Sequence, residues 1–287
     1  RTTLGIEHER QHQELFFSDL KYSMAVNPLL PAYAPRATSS SDDAPLMTWR
    51  GYDGGLVETG YAGEGFCFDN ELPRHKTYLE PFALGSRLVT NAEYEAFMAD
   101  GAYTRPELWL ADGWDAVQSG SWQGPLYWME REGQPMEYTL HGLQPRVPAN
   151  PVCHISGYEA DAFARWAGAR LPTEQEWELG AMDEPPASAG VDDGDYHPQP
   201  ATGNSGLGQM YGAGWQWTRS AYVPYPGYQA SPGAIGEYNG KFMSNQWVLR
   251  GGSCVSKAAQ LRPSYRNFFY PPDRWQFSGI RLARGAD

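Results

Sequence analysis

Two histidines, His8 and His12, bracket the run His8-Glu9-Arg10-Gln11-His12. Residues at i and i+4 of an α-helix lie one above the other on a single face. Two imidazoles so placed can grip one metal ion, and imidazole nitrogen suits zinc, iron or copper. The competing reading is a pair of solvent-facing histidines on an ordinary helix. A pair of ring ligands leaves coordination positions open, as an oxygen-activating iron centre requires.

The same run satisfies H-E-x-x-H, where Glu9 would be the general base of a zinc peptidase. That chemistry needs a third ligand. His75, His141, His154 and His197 fall in separate loop or strand contexts, and none follows on the next helix. Further chemistry sits near the C-terminus. Trp215-Gln216-Trp217-Thr218 with 222–228 forms one aromatic-dense patch, and Asn267-Phe268-Phe269-Tyr270 forms another. Ring faces attract quaternary ammonium ions, although such rings more often build core. Arg262, Arg266, Arg274 and Arg281 punctuate this stretch. Some are expected to pair with internal carboxylates, and one, with Arg274 the candidate, to hold a substrate carboxylate bidentately.

The elements that must position these groups follow from pattern. Residues 2–26 read as one helix, with Leu4, His8, His12, Leu15 and Asp19 on one stripe and Leu20 and Met24 beside it. Asn27-Pro28 ends it. Residues 28–45, rich in Pro, Ala and Ser, read as a connector. Helices are then expected to start at capping boxes, where a Ser or Thr and a Glu three residues on satisfy the first free amides. These are Thr90 with Glu93, Ser156 with Glu159 and Thr173 with Glu176, the first two helices stopping near Gly101 and Gly168. Residues 184–204 read as loop. Arg250-Gly251-Gly252-Ser253 reads as a tight turn or bulge. The fold class expected is α+β, with short helices on irregular, mostly antiparallel strands.

Composition bounds the function. Acidic residues outnumber basic ones 34 to 22, a net charge of −12. That argues against a nucleic-acid or anionic-membrane surface. Aromatic residues make up 14% of the chain, so an acidic, ring-rich protein suits a cationic small molecule. Cys67, Cys153 and Cys254 are too few and too scattered for a disulfide framework or a thiolate metal site. No apolar run approaches the roughly 18 residues of a membrane helix. The chain reads as cytoplasmic. It begins at Arg1 inside an apparent helix, so an N-terminal part is expected to precede it.

Several motifs carry a resemblance. Val89-Thr90-Asn91-Ala92-Glu93-Tyr94, Arg170-Leu171-Pro172-Thr173-Glu174-Gln175-Glu176-Trp177-Glu178, Leu249-Arg250-Gly251-Gly252-Ser253 and Ser278-Gly279-Ile280-Arg281 resemble the formylglycine-generating (sulfatase-modifying factor) enzymes. The resemblance implies a C-type-lectin-like domain over residues 46–287. Those enzymes carry two catalytic cysteines soon after the Gly-Gly-Ser turn. The matching positions here are Ser256 and Leu261, so that activity is not implied.

The joint pattern is more similar to the ergothioneine synthases, nonheme iron sulfoxide synthases in which a DinB-like four-helix bundle is fused to this domain. His8 to Glu14, Asp19-Leu20-Lys21-Tyr22 and Asn27-Pro28-Leu29-Leu30-Pro31-Ala32-Tyr33 resemble the end of that bundle. Residues 1–27 would be its last helix. Gly236-Glu237-Tyr238-Asn239-Gly240-Lys241-Phe242-Met243, Tyr265-Arg266-Asn267-Phe268-Phe269 and Arg274-Trp275-Gln276-Phe277-Ser278-Gly279 resemble the second half of the lectin-like domain. The resemblance implies Fe(2+) and O2, with hercynine and cysteine (or γ-glutamylcysteine) joined as hercynyl-cysteine sulfoxide. It makes His8 and His12 two of three iron ligands, and places the third ligand and a proton-donating Tyr upstream of Arg1. No catalytic residue is thereby assigned within the chain.

Gln11 and Asn267 match positions that hydrogen-bond the imidazole and carboxylate region of hercynine. Phe268 matches an aromatic that packs on it. Phe269 falls where relatives selecting γ-glutamylcysteine have Asp, which points to free cysteine. The usual Trp-Glu-Trp-Thr reads Trp-Gln-Trp-Thr here and Gly214 replaces a usual Val, which leaves the donor open. Selenoneine synthase shares this architecture. A non-catalytic lectin-like binding module is the reading from another class.

Overall fold

The computed structural model describes residues 2–35, 43–185, 190–203, 206–233, 236 and 238–286. Parts of the expected connector and of the 184–204 loop, and Glu237 of the Gly236 motif, lie outside the described residues. A single helix, α1 (Thr2–Ala25), opens the chain. Asn27 and Pro28 follow it as a turn, because a residue before proline is pushed out of the helical region.

After α1 the chain does not run free. The Tyr33 and Ala34 amides donate to the Leu140 carbonyl at 2.7 and 3.1 Å, and the Tyr138 hydroxyl donates to the Pro31 carbonyl at 2.7 Å. A low-period, Pro-rich stretch thus packs on the body through its own backbone groups.

The remaining elements are short. The strands are β1 (Trp49–Tyr52), β2 (Gly55–Thr59), β3 (His75–Leu79), β4 (Phe82–Gly85), β5 (Trp128–Arg131), β6 (Gln134–Thr139), β7 (Gly142–Pro145), β8 (Trp215–Ala221), β9 (Trp247–Arg250), β10 (Asn267–Phe269), β11 (Ser278–Gly279) and β12 (Ala283–Gly285). They form small sheets in the orders β1-β4-β12, β10-β9-β8-β11, β2-β3 and β5-β6-β7. Every pairing is antiparallel except β8 with β11. Between them lie α2 (Asn91–Ala99), α3 (Ala111–Gly120), α4 (Gly157–Trp166) and α5 (Glu174–Met182).

Three of these helices begin at the expected capping boxes. Thr90, Ser156 and Thr173 each accept the amide of the Glu three residues on, and each Glu carboxylate accepts the amide of the cap. Gly101 and Gly168 take up left-handed conformations after the first two. By contrast α3 starts at Leu110, which has no capping side chain. Its start therefore left no local mark in the sequence.

The main core gathers Tyr94, Phe97, Trp109, Ile155, Phe163, Trp215, Trp217, Leu249 and Ile280. The patch around Trp215 is therefore core, not a ligand-binding surface, because fused rings stabilise most when fully enclosed. Buried arginines are neutralised inside it. Arg250 pairs with Glu174 and Glu178 at 2.8 and 3.0 Å, and Arg266 with Glu174 at 2.9 Å. Gln216 is equally internal. Its carbonyl oxygen accepts from Trp177 Nε1 and Arg281 Nε, both at 2.7 Å. Its identity bears on core packing. No described helix is long and apolar enough to cross a membrane.

Candidate active site

One helix and two C-terminal segments build the site. α1 lays a polar stripe on the lectin-like body: Glu7, Gln11, Glu14, Ser18 and Lys21. Gln260 Nε2 donates to the Glu7 carbonyl and carboxylate at 2.9 and 2.8 Å. Gln11 donates to the Tyr265 hydroxyl at 2.9 Å and accepts from the Tyr238 hydroxyl. The Glu14 carboxylate accepts Trp215 Nε1 at 2.5 Å, Ser253 Oγ at 2.8 Å and Ser256 Oγ at 2.7 Å. Lys21 is fully buried against His154 Nε2 at 2.8 Å, between the rings of Tyr127 and Phe277.

This corrects the stripe read from sequence. Leu4 and Leu20 do pack against core clusters and Leu15 lines the same cavity as His8 and His12, but Asp19 faces outward. The stripe read from sequence borders the cavity, and the hydrogen bonds that dock the helix come from the polar stripe beside it.

His8 and His12 sit one position beyond Glu7 and Gln11, so the docked stripe turns them to the edge of a cavity. Their Nε2 atoms stand 2.9 Å apart. The cavity encloses about 210 Å³. Its wall includes Gln11, Tyr238, Asn239, Phe242, Tyr265, Asn267, Phe268, Phe269, Trp275 and Gln276 besides the two histidines. The structure thus brings together His8, His12, Gln11, Asn267 and Phe268.

Arg274 lies elsewhere. Its guanidinium packs over Trp122 at 4.3 Å, donates to the Gly124 carbonyl and pairs with Glu159 at 3.1 Å. It belongs to a separate cleft with Trp128 and Arg146. The segment is irregular here: its neighbours Trp275 and Gln276 line the cavity, while Arg274 is held on the other side by Trp122 and Glu159.

Each cavity group has a defined setting. The His8 ring meets the Tyr238 ring edge-on at 5.0 Å. Burial first, and the adjacent His12 second, hold the His8 imidazole below its usual pKa, which favours the neutral, metal-binding form. Burial pushes the Tyr238 phenol up to about 12, so it stays protonated at neutral pH and can donate its hydrogen bond to Gln11. Tyr238 stacks on Phe68 at 5.8 Å, and Asp69 anchors the same loop by accepting from Asn239 and Tyr228 at 2.5 and 2.9 Å. Phe268 stacks on Tyr222 at 4.0 Å and lies 5.7 Å from Phe242. The Glu14 carboxyl is raised by burial. The residue keeps some exposure where it lines the cavity, while its carboxylate end is enclosed by three donors.

Tyr238, Tyr265 and Glu14 were not singled out from sequence. The signal for Glu14 was available: Glu7, Gln11, Glu14, Ser18 and Lys21 repeat at alternating spacings of four and three. No comparable local signal marked Tyr238 or Tyr265. Glu9 is exposed and does not line this cavity; it faces an outer groove that His8 and His12 also border. Among the described residues no group of three His, Cys, Asp or Glu could hold a metal. The pair itself fits one. Two imidazole nitrogens about 2.1 Å from one ion, in adjacent positions at a right angle, stand about 3 Å apart.

Small, mostly antiparallel sheets with capped helices and a buried Gly-Gly-Ser turn make up the body of a sulfatase-modifying factor domain. The family model described as "Sulfatase-modifying factor enzyme 1-like domain" matches residues 52–200 and 194–286. PvdO from Pseudomonas aeruginosa shares the fold with a TM-score of 0.56 at 19% identity, over 88% of this chain and 100% of that one. The chain belongs, more particularly, to the hercynine oxygenase family and is an oxidoreductase. It is 35% identical to the hercynine oxygenase of Mycobacterium tuberculosis over 97% of this chain and 70% of that protein. It is 34% identical to that of Mycolicibacterium smegmatis over 99% and 71%.

Proposed function

We propose that the chain uses iron(II) and O2 to join the sulfur of cysteine to the imidazole carbon of hercynine, giving hercynyl-cysteine sulfoxide in ergothioneine biosynthesis. One observation carries this reading: His8 and His12 converge 2.9 Å apart at the edge of a cavity walled by aromatic rings and side-chain amides. Iron bound there would supply the oxidising chemistry with O2. A third ligand and a further proton donor would come from residues preceding Arg1, in a DinB-like bundle of which α1 is the last helix.

The chain's own residues bind and orient. A trimethylammonium group donates no conventional N–H hydrogen bond and is held by ring faces, which Phe242, Phe268 and Trp275 offer. Gln11 and Asn267 would take the imidazole and the carboxylate. Phe269 lines the cavity and offers no carboxylate to a γ-glutamyl amine, which favours free cysteine. Holding the thiol and the imidazole carbon in contact contributes rate by placement.

The test is direct. Iron-loaded protein with hercynine, cysteine and O2 should yield the coupled sulfoxide by mass spectrometry. Oxygen uptake should depend on hercynine. Absence of both product and hercynine-dependent uptake would refute the reading.

A further inference from the structure

A helix docked by apolar contacts tolerates small rotations, because the hydrophobic effect is non-directional. Hydrogen bonds to a buried charge are shorter, stronger and oriented. Glu14 sits mid-way along the polar stripe of α1, and its three donors come from two separate places in the body. Trp215 lies on β8 and approaches at 2.5 Å. Ser253 and Ser256 belong to the turn after β9 and approach at 2.8 and 2.7 Å. Gly251 and Gly252 have φ of +100° and +77° there, and the Ser253 amide closes the turn on Ser256 Oγ at 2.8 Å. A rotation of α1 by about 10° would carry an imidazole nitrogen some 7 Å from the helix axis through ~1 Å. Metal sites tolerate about half that displacement.

We propose that Glu14 is a positioning residue: by accepting Trp215, Ser253 and Ser256 it fixes the rotational setting of α1 and keeps His8 and His12 convergent on the cavity. The inference rests on the reading of those histidines as metal ligands. Glu14 itself touches neither metal nor substrate in this role.

The experiment titrates iron(II) anaerobically, and cobalt(II) as a spectroscopic stand-in, into the purified protein. It compares wild type, Glu14→Gln, Glu14→Ala and the double variant Ser253→Ala/Ser256→Ala. Affinity should fall about 10- to 100-fold in Glu14→Ala and in the serine double variant, the usual cost of losing a partner that orients ligands. Glu14→Gln should lie between, and the cobalt ligand-field spectrum should shift in all three. Should Glu14→Ala fail to fold, the serine variant, which deletes only two hydroxyls, carries the test. Variants that melt earlier yet bind with wild-type affinity and spectrum would show a merely structural contact and overturn the inference. A wild-type protein that takes up neither metal would instead overturn the metal reading on which it stands.

Discussion

Gln11 and Tyr238 are hydrogen-bonded across the junction between α1 and the loop before β9. The same amide donates to the Tyr265 hydroxyl at 2.9 Å. The two phenols therefore fix the amide that faces the cavity beside His8 and His12. Tyr238→Phe keeps the ring against His8 and frees one end of Gln11. Hercynine affinity should fall by about 1 kcal/mol, the worth of one hydrogen bond, with iron affinity nearly unchanged. Calorimetric titration checks this, and unchanged hercynine affinity would separate Gln11 from the substrate.

Each imidazole is one of few ligands, so His8→Ala and His12→Ala should each lose iron and activity together. Both residues stand at the cavity edge, His8 partly enclosed and each still largely exposed, so their removal should leave the melting temperature close to wild type. Full iron occupancy in either variant would end the assignment.

Phe268 contributes twice, to its stack with Tyr222 and to the cavity wall. Phe268→Leu should weaken hercynine binding by about 0.5–2 kcal/mol, the range for a cation over a ring, and should also lower thermal stability. Asn267→Ala should cost about 1 kcal/mol in hercynine binding. Histidine, whose compact ammonium stays hydrated, should bind wild type more weakly than hercynine does. Equal affinity for the two ligands would refute a betaine pocket.

Gly251 meets the backbone closely. A Cβ built there would lie 2.5 Å from the Met210 carbonyl oxygen, and φ is +100°. Gly251→Ala combines a left-handed strain of about 1–3 kcal/mol with a clash that no side chain can relieve. Urea unfolding should show at least that loss. A midpoint within experimental error of wild type would contradict the turn geometry.

Glu137 on β6 is buried near Lys21, and burial pushes its carboxyl up to about 7. The folded chain thus holds this proton up to about pH 7, so its contribution to stability is complete below about 4.5 and is lost as pH rises through 7. Burial, then Lys21, holds His154 well below its usual range. That histidine acts oppositely: its contribution is present above about 6.5 and lost as pH falls. Removing the first group with Glu137→Gln should expose the second. The melting temperature of the variant should climb between pH 5 and 7 more steeply than that of wild type. Parallel curves would show that Glu137 does not titrate there.

What the sequence settled by itself is local. The capping boxes at Thr90, Ser156 and Thr173 locate three helices because the groups that satisfy their first amides are three residues apart. The i, i+4 spacing of His8 and His12 places both rings on one face for the same reason. Family motifs extended this to the fold, since a Gly-Gly-Ser turn with two left-handed residues admits few backbones. Tertiary structure alone decided which face of α1 docks. Its apolar residues fall on several faces and its buried stripe is polar, so hydropathy could not choose between them. Partners from β8, the turn after β9 and residue 260 make that choice, and they lie more than 200 residues away in the chain. The same distance hid Tyr238 and Tyr265 beside Gln11, buried Gln216 and Trp215, and turned Arg274 away from its neighbours Trp275 and Gln276. A side chain's direction at the end of an irregular loop depends on what packs against it, and that information is spread over the whole fold.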